Sequence, residues 1–418
     1  KYDYALSFKD WWQRDTEAMV LRDRNHPSII IWSIGNEVLE RKKPRAIEIA
    51  NMLANCIRKI DSTRPVTSAM TTWDKDWEIF DSLFAAHDIG GYNYQLHRAP
   101  ADHNRVPSRI IVQTESYPRD AFANWKMVQN NNYIIGDFVW TALDYLGESG
   151  IGRWYYTGET PGEHWERDLY PWHGAYCGDI DLIGWRKPIS HYRSMLYNNT
   201  EKLYMAVREP NPTPLEIKET MWSVWPTWES WTWPGHEGKN VQVEVYSKYP
   251  KVRLYLNKKL IGDQATTADQ QFKATFTLPY APGLLQAVGV ADNKEIETKE
   301  LKTAGNAAKI KLQADRTNIA ANSQDLSFVT IEITDAAGNL QPNAANQLQF
   351  RIDGPGVIAG VDNANLKDTG SYVGSKRTTW HGRALVVIRS TQHAGDIKLT
   401  VSTPGLTGAS ISIRAGVK

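Results

Sequence analysis

Two glutamates, Glu37 and Glu115, each stand two residues past an apolar run, in the stretches "IIIWSIGNE" and "RIIVQTE". Two carboxyl groups that face one cleft suit glycoside hydrolysis, in which one protonates the leaving oxygen and the other attacks the anomeric carbon or activates water. Two like charges held close also resist joint ionisation, which raises the pKa of one of them. For a single glutamate at a strand end, the structural alternative is a salt bridge that closes the rim of the fold.

Further side chains that suit a sugar site also follow or join apolar runs. Tyr94 closes the apolar part of "DIGGYNY", and Asp144 follows "FVWTALD". Trp32 and Trp140 are aromatic neighbours that would give the carboxyl groups an apolar setting and a platform for a sugar ring. Polar residues after several different parallel strands are typical of (β/α)8 barrel enzymes, whose active sites lie at that end of the barrel. A doubly wound sheet would instead concentrate its chemistry at one switch point, and the sequence has neither GxGxxG nor a P-loop.

The first 200 residues alternate between short apolar runs and helical patterns. The apolar runs occur at 29–34, 65–70, 89–94, 109–113 and 133–141. Between the first two runs, "PRAIEIANMLANCIRKID" has apolar residues near helical spacing and an early proline. This alternation predicts a parallel sheet covered by helices, with Ile29 to Trp32 in a strand buried on both faces. The positions of the polar residues favour a barrel over an open sheet.

The pattern of apolar and polar residues changes after residue 200. Short runs of alternating apolar and polar residues, separated by turn residues, fill 203–300 and 308–416. Period-2 alternation with Gly, Asn and Asp at the turns is typical of antiparallel β-sandwiches. We therefore predict two immunoglobulin-like domains, at residues 203–302 and 308–418, after a first domain at residues 1–200.

Composition excludes several classes of partner. The formal net charge of the 418 residues is +1, so no overall charge favours nucleic acid or an anionic membrane surface. No apolar run reaches the roughly 20 residues of a membrane-spanning helix. The two cysteines, Cys56 and Cys177, indicate no disulfide framework, and no Cys or His spacing is typical of metal ligands. We predict no nucleic-acid partner, no membrane span, no metal and no cofactor.

The stretch "RDRNHPSIIIWSIGNE", which ends at Glu37, resembles the acid/base signature of glycoside hydrolase family 2, the β-galactosidase and β-glucuronidase family. In barrel glycosidases with this Asn-Glu pair, the glutamate ends strand four. The resemblance implies that Glu37 is the general acid/base and that Asn36 binds the 2-hydroxyl group of the sugar.

The stretch "IIVQTESYP" resembles the segment of the same family that ends strand seven with the nucleophile. The resemblance implies that Glu115 is the nucleophile and that Tyr94 hydrogen-bonds to it, a role that Tyr92 fits less well. The stretch "GDFVWTALDYLGE" resembles strand eight, which implies that Trp140 lines the sugar subsite. Asp144, in the same stretch, is expected to be structural.

The resemblance covers nearly the whole chain and implies its architecture. The stretches that begin "VWPTWESWTWPG" and "ADRTNIAANSQDL" resemble the β-sandwich domains that follow the barrel in many family members. The implied fold is multidomain α/β plus all-β: a partial (β/α)8 TIM barrel, strands four to eight, followed by two immunoglobulin-like β-sandwiches. An open five-stranded piece would expose sheet edges and half a core. We therefore expect an upstream segment of the same polypeptide, or a companion segment, to supply barrel strands one to three.

The implied activity is that of a retaining exo-β-glycosidase, which acts by double displacement through a covalent glycosyl-enzyme. β-Glucuronidases of the family carry an Asn-x-Lys element after strand eight, and the region "GESGIGRWYYTGETPG" has none. A terminal β-D-galactosyl residue is therefore the first expectation for the carbohydrate substrate, with a β-glucuronide or a β-mannoside as alternatives. Similar enzymes with such accessory domains are exported, so a periplasmic, cell-surface or secreted location is expected.

Two further alternatives are open at this level. A catalytically inactive carbohydrate-binding or scaffold protein would keep the fold and use its sandwiches and aromatic residues to bind glycans or a partner. A metal-dependent barrel hydrolase would take its ligands from the stretch "HDIGGYNYQLHRAPADHN", although the spacing there is specific to no metal. The candidate ligands in that stretch are His87, His97, Asp102 and His103.

Overall fold

The computed structural model describes residues 3–73, 75–163 and 168–417 of the chain. The chain divides into two compact units, residues 1–141 and residues 142–418. Within the described ranges, no helix combines the length and the apolar character that crossing a membrane requires.

The first unit contains a parallel sheet. Its strands are β1 (Trp32–Asn36), β2 (Val66–Met70), β3 (Gly90–Asn93), β4 (Ile111–Ser116) and β5 (Ile134–Val139). They lie side by side in chain order, each parallel to the next. Because the strands are parallel, all of their C-terminal ends lie at one edge of the sheet, where barrel enzymes build their active sites.

Helices connect these strands. The α-helices of the first unit are α1 (Phe8–Asp23), α2 (Pro44–Ile60), α3 (Asp81–Phe84), α4 (Ala99–Arg105) and α5 (Ala121–Asn130). Helix α2 begins at Pro44, whose missing N–H costs nothing in the first turn, and it buries Ala50, Ala54 and Ile57 along one face. The predicted strand–helix alternation is confirmed, and the first unit is a partial barrel.

The predicted strand from Ile29 to Trp32 is wrong in its extent. Strand β1 begins only at Trp32, and Ile30 is 62% exposed rather than buried. The physical reason is that β2, the strand that pairs with β1, begins at Val66 opposite Trp32, so residues 29–31 have no strand to pair with in the described part of the chain. Trp32 itself is buried at the start of β1, and its indole N–H donates to Asp61 at 3.0 Å. It therefore belongs to the core and is remote from Glu37, which follows the other end of the strand.

The second unit begins with short strands and one helix. These elements are β6 (Tyr145–Leu146), β7 (Trp154–Tyr156), β8 (Gly174–Ala175) and α6 (Pro188–Tyr197). Strands β6 and β8 form an antiparallel pair. Helix α6, like α2, carries a proline in its first turn.

A first β-sandwich follows. Its part of the chain contains β9 (Leu203–Arg208), β10 (Ile217–Glu219), β11 (Thr227–Trp228), β12 (Asn240–Ser247), β13 (Lys251–Leu256), β14 (Lys259–Ala265), β15 (Lys273–Pro279), β16 (Leu284–Ala291) and β17 (Lys294–Lys302). One sheet has the order β11-β9-β12-β15 and the other β14-β13-β16-β17, while β10 pairs with β7. Inward side chains such as Val243, Leu254 and Phe276 form the core between the sheets.

A second β-sandwich completes the chain. Its strands are β18 (Lys309–Ala314), β19 (Asn318–Ala320), β20 (Leu326–Thr334), β21 (Gln347–Asp353), β22 (Gly356–Asp362), β23 (Lys376–Thr378), β24 (Arg383–Ser390), β25 (Gly395–Ser402) and β26 (Ala409–Gly416). The two sheets have the orders β18-β20-β24-β22 and β19-β26-β25-β21-β23. Alternating residues of both, including Ile331, Val386 and Leu399, are fully buried between them. The predicted partial barrel followed by β-sandwiches is thus confirmed.

Candidate active site

The two glutamates that follow apolar runs, Glu37 and Glu115, lie at the same edge of the parallel sheet. Asn36 is the last residue of β1, and Glu37 follows it. Glu115 is the penultimate residue of β4, which β2 and β3 separate from β1. Tyr94 follows directly after β3. The C-terminal ends of β1, β3 and β4 therefore contribute the carboxyl, amide and phenol groups of one site.

Asn93, the last residue of β3, connects the two carboxylate-bearing strands. Its side chain is fully buried, and its Nδ2 donates to Asn36 Oδ1 at 3.0 Å and to Glu37 Oε1 at 2.9 Å. The hydroxyl of Thr114 donates to Asn93 Oδ1 at 2.6 Å, which fixes the orientation of the amide. Sequence reasoning missed Asn93, although a polar residue that ends an apolar run was the available signal.

A bulge in β4 brings Asn93 opposite Glu115. Tyr92 pairs with Gln113, but Asn93 pairs with Glu115, so β4 carries one extra residue at this point. A bulge changes the direction of the side chains that follow it. Here it aligns the carboxyl group of Glu115 with the end of β3.

The carboxyl group of Glu115 is buried and accepts hydrogen bonds that partly offset the effect of burial on its pKa. The hydroxyl of Tyr94 donates to Glu115 Oε2 at 2.8 Å. Burial raises the pKa of Glu115, and the nearby charge of Glu37 raises it further. Hydrogen bonds from Tyr94, Asn93 and Asn36 lower the same pKa and so oppose the cost of burial. The pKa of Glu115 is therefore raised overall, the hydrogen bonds limit the rise, and the charge of Glu37 acts on the carboxyl group of Glu115.

The backbone at the site is strained at two positions. Glu37 has φ 45° and Tyr94 has φ 60°, both in the left-handed region that side chains other than glycine rarely adopt. Arg41 secures the loop after β1, because its Nε donates to the Thr71 carbonyl at 2.7 Å and its Nη1 donates to the Glu37 carbonyl at 3.3 Å. Strain of this kind persists only where the surrounding structure enforces it, and it is frequent at functional sites.

Aromatic residues follow four neighbouring strands at the same edge. Trp73 follows β2, Tyr94 follows β3, Tyr117 follows β4 and Trp140 follows β5. The ring centroids of Trp73 and Tyr94 lie 6.2 Å apart, and those of Tyr94 and Tyr117 lie 4.5 Å apart. Trp140 is half-buried, and its backbone N–H donates to the Ser116 carbonyl at 3.0 Å. Sequence reasoning named Tyr94 and Trp140 but missed the other two, which carry the same signal.

Other candidates from the sequence lie outside this group. Tyr92 is fully buried, and its hydroxyl donates to Asp102 at 2.5 Å, so it does not take the place of Tyr94. Asp144, in the second unit, is almost completely buried and accepts a 2.7 Å hydrogen bond from the ammonium group of Lys187. Burial raises the pKa of Asp144, and Lys187 opposes that shift. This buried ion pair agrees with the structural role expected for Asp144.

The four candidate metal ligands are engaged in other contacts or lie apart. In the parts of the chain that the structure describes, no group of three or more His, Cys, Asp or Glu side chains is arranged to hold a metal ion. Both ring nitrogens of His87 are hydrogen-bonded at 2.8 Å, one to a backbone carbonyl and one to a serine hydroxyl. The ring of His103 stacks on Tyr133 at 3.7 Å between centroids. Within the described ranges, these four residues therefore form no metal-ligand set.

A parallel sheet with two coupled carboxyl groups at its C-terminal edge is the arrangement of a barrel glycosidase. The sequence model of the glycosyl hydrolases family 2 TIM barrel domain matches residues 9–146. That of glycoside hydrolase family 2 C-terminal domain 5 matches residues 310–412, and a domain of unknown function matches residues 238–297. The chain belongs to glycoside hydrolase family 2.

Relatives match along almost the whole chain. A β-galactosidase of Bacteroides ovatus is 28% identical over 99% of this chain and 52% of its own length. A putative β-glucuronidase of Formosa agariphila is 22% identical over 93% of this chain and 39% of its own length. The crystal structure of a family 2 member from Bacteroides cellulosilyticus is 38% identical, with a TM-score of 0.91, over 100% of this chain and 53% of that chain. The chain thus spans about half the length, or less, of these proteins.

Proposed function

We propose that the protein is a retaining exo-β-glycosidase that releases terminal non-reducing β-D-galactosyl residues. The observation that supports this function is the amide of Asn93, which bonds Glu37 and lies opposite Glu115 on the neighbouring strand. Such a link keeps two carboxyl groups in one cleft with different surroundings, as acid/base and nucleophile require.

The proposed reaction has two steps. Glu115 attacks the anomeric carbon, while Glu37 gives its proton to the departing glycosidic oxygen. Glu37 then removes a proton from the water that attacks the glycosyl-enzyme and frees the sugar. Asn36 would bind the 2-hydroxyl group, Tyr94 would keep Glu115 ionised, and Trp140 would line the sugar subsite. No cofactor takes part.

Two observations bear on the choice of sugar. A relative named as a β-galactosidase matches along the whole chain, but relatives named as β-glucuronidases match as well. The stretch "GESGIGRWYYTGETPG", which follows the last barrel strand, has no Asn-x-Lys element, and this favours a neutral sugar over a glucuronide. A β-galactoside is therefore the proposed substrate, with β-glucuronide and β-mannoside as the alternatives.

We propose that barrel strands one to three, on an upstream segment of the same polypeptide, complete the site. Among the described residues, no strand pairs with the outer edge of β1 or of β5. Ile30, next to β1, and Phe138, on β5, expose 62% and 51% of their surfaces. Open parallel edges with exposed apolar side chains are normally covered in stable proteins. Activity measurements therefore require a protein that includes this segment.

Three finer assignments belong to the same proposal. The domain boundaries are proposed at residues 1–200, 203–302 and 308–418, since the linker at 198–202 joins α6 to β9 and the linker at 302–308 joins β17 to β18. Both sandwiches are proposed to be immunoglobulin-like. A periplasmic, cell-surface or secreted location is proposed from the accessory domains alone.

The first experiment is a labelling test followed by mass spectrometry. A 2-deoxy-2-fluoro-β-galactoside with a good leaving group should leave a covalent adduct on the peptide that contains Glu115, because the fluorine slows hydrolysis of the glycosyl-enzyme. The gluco, manno and glucuronyl analogues, run in parallel, identify the preferred sugar. An adduct on a different peptide would contradict the nucleophile, and a first product of inverted configuration would contradict the mechanism. No adduct and no turnover with any sugar would favour the scaffold alternative.

Replacing Tyr94 by phenylalanine should move the acidic limb of the kcat/KM profile to higher pH. The Tyr94 hydroxyl lowers the pKa of Glu115, so its removal raises that pKa, and the nucleophile becomes protonated at a higher pH. Loss of a hydrogen bond to a charged group should also reduce kcat/KM at the optimum by about tenfold or more.

The matched control is Tyr92→Phe. The Tyr92 hydroxyl bonds Asp102 in the core, so this variant should lose stability but keep the position of the acidic limb. An acidic limb that Tyr94→Phe leaves in place would contradict the proposed role of Tyr94.

Replacing Asn93 by alanine should lower kcat by about ten- to a hundredfold. The change removes the donor to Glu37 and Asn36, and it leaves the Thr114 hydroxyl without its acceptor. Steady-state kinetics and the melting temperature should be measured together. Asn124→Ala, which removes another buried amide in the same unit, serves as the control and should leave kcat nearly unchanged. Equal losses of kcat in both variants would mean that Asn93 stabilises the fold and has no specific role in the reaction.

A further inference from the structure

Trp73 is a large aromatic side chain that the described part of the barrel leaves exposed. It exposes 66% of its surface, although its ring lies beside Tyr94, whose hydroxyl bonds Glu115. An indole left in water contributes little to folding. An exposed aromatic face beside hydrogen-bonding groups is suited to stacking on the apolar face of a sugar ring.

The strand order places Trp73 on the side of the site that is near Glu37. It follows β2, the strand next to β1, and Asn36 at the end of β1 pairs with Ala69 of β2. A general acid must reach the glycosidic oxygen, which joins the cleaved sugar to its leaving group. The end of β2 therefore lies on the side where Glu37 would meet the leaving group. Trp140, after β5, lies at the opposite side of the sheet.

The orientation of the ring also suits a platform. The planes of Trp73 and Tyr94 are inclined by only 24°, with 6.2 Å between centroids. At this separation the two rings are neighbours in a row rather than a tightly packed pair, which agrees with the exposure of the indole. The row of Tyr117, Tyr94 and Trp73 leads from Glu115 outward along the C-terminal edge of the sheet.

We propose that Trp73 is the stacking platform for the leaving group, and that it selects substrates in which the leaving group is itself a pyranose ring. This inference rests on the proposed glycosidase function. It assigns to Trp73 a role in specificity, separate from the cleavage of the glycosidic bond.

The test compares two substrates that share the cleaved sugar. One is a β-linked disaccharide, and the other is the β-glycosyl fluoride, whose leaving group is too small to stack. Trp73→Ala should lower kcat/KM for the disaccharide by about tenfold and change it less than twofold for the fluoride. Trp73→Phe, which keeps an aromatic face, should restore most of the loss.

Equal losses on both substrates would overturn the proposal, since they would mean that Trp73 only supports Tyr94. In that case the acidic limb of the pH profile should also move, as it does for Tyr94→Phe. A loss confined to aryl glycosides would overturn the assignment to a sugar ring, and an unchanged disaccharide rate would overturn the platform altogether.

A binding measurement separates this proposal from the proposed function. If the unsubstituted protein cleaved neither substrate, the proposed function would fail. Titration calorimetry with a sulfur-linked disaccharide and with the matching methyl thioglycoside would then decide about Trp73. Weaker binding of only the disaccharide by Trp73→Ala would support the platform, and equal binding by both proteins would overturn it.

Discussion

A variant in which Glu115 is replaced by glycine is expected to lose kcat/KM by about 10⁵-fold, because no other group can form the glycosyl-enzyme. Tyr94 and Asn93 would still line the site, so substrate binding should survive better than turnover. Steady-state assays with an aryl glycoside of the preferred sugar measure the loss.

Azide tests the reason for this loss. The cavity left by the missing carboxylate admits azide, which can attack the anomeric carbon from the side of Glu115. The product should then be a glycosyl azide of inverted, α configuration, visible by NMR. Glu48→Gly, at an exposed position on α2, is the control and should keep full activity. Retention of turnover in Glu115→Gly without azide would contradict the assignment of the nucleophile.

A variant with glutamine in place of Glu37 should distinguish substrates by the quality of their leaving groups. A disaccharide needs a proton on the departing oxygen, so its kcat/KM should fall by about 10³-fold. A dinitrophenyl glycoside departs without one, and its kcat/KM should fall by less than about tenfold. The comparison uses kcat/KM because that constant reports the step up to release of the leaving group.

The second half of the reaction gives an independent check on Glu37. Hydrolysis of the glycosyl-enzyme needs a base, so the glycosyl-enzyme should accumulate in Glu37→Ala when an activated substrate is used. Azide needs no base, and it should release a glycosyl azide of retained, β configuration. A glycosyl azide of α configuration would instead mean that Glu37 is the nucleophile and Glu115 the acid/base. Equal losses on both kinds of leaving group would mean that Glu37 acts in some way other than as the acid.

The partial barrel could be predicted because its elements carry strong local signals. Helix α2 combines an early proline with apolar residues on one face, and each predicted apolar run overlaps a strand. The extent of β1 could not be predicted, because Ile29 to Ile31 are as apolar as any core strand. Whether such residues pair depends on the neighbours of the strand in the folded sheet, and the described neighbour of β1, strand β2, begins only opposite Trp32.

The site residues that belong to a sequence motif could be predicted. Those whose position depends on tertiary geometry could not. The Asn-Glu pair and the segment around Glu115 were visible in the sequence. The bulge that sets Asn93 opposite Glu115 depends on the register between two strands, which the sequence of either strand alone does not specify. Trp73 and Tyr117 were missed for a different reason: each follows an apolar run, but no motif singled them out.

The left-handed backbone at Glu37 has a consequence for anyone who tries to improve the protein. A side chain other than glycine in that conformation costs about 1 kcal/mol or more, and glycine would relieve most of that cost. Glu37 is only half-buried, so its removal would sacrifice little packing. At this position glycine would therefore favour thermal stability, whereas glutamate is required for turnover. A laboratory selection based on melting temperature alone would favour glycine at position 37. It would yield a more stable protein that is catalytically inactive.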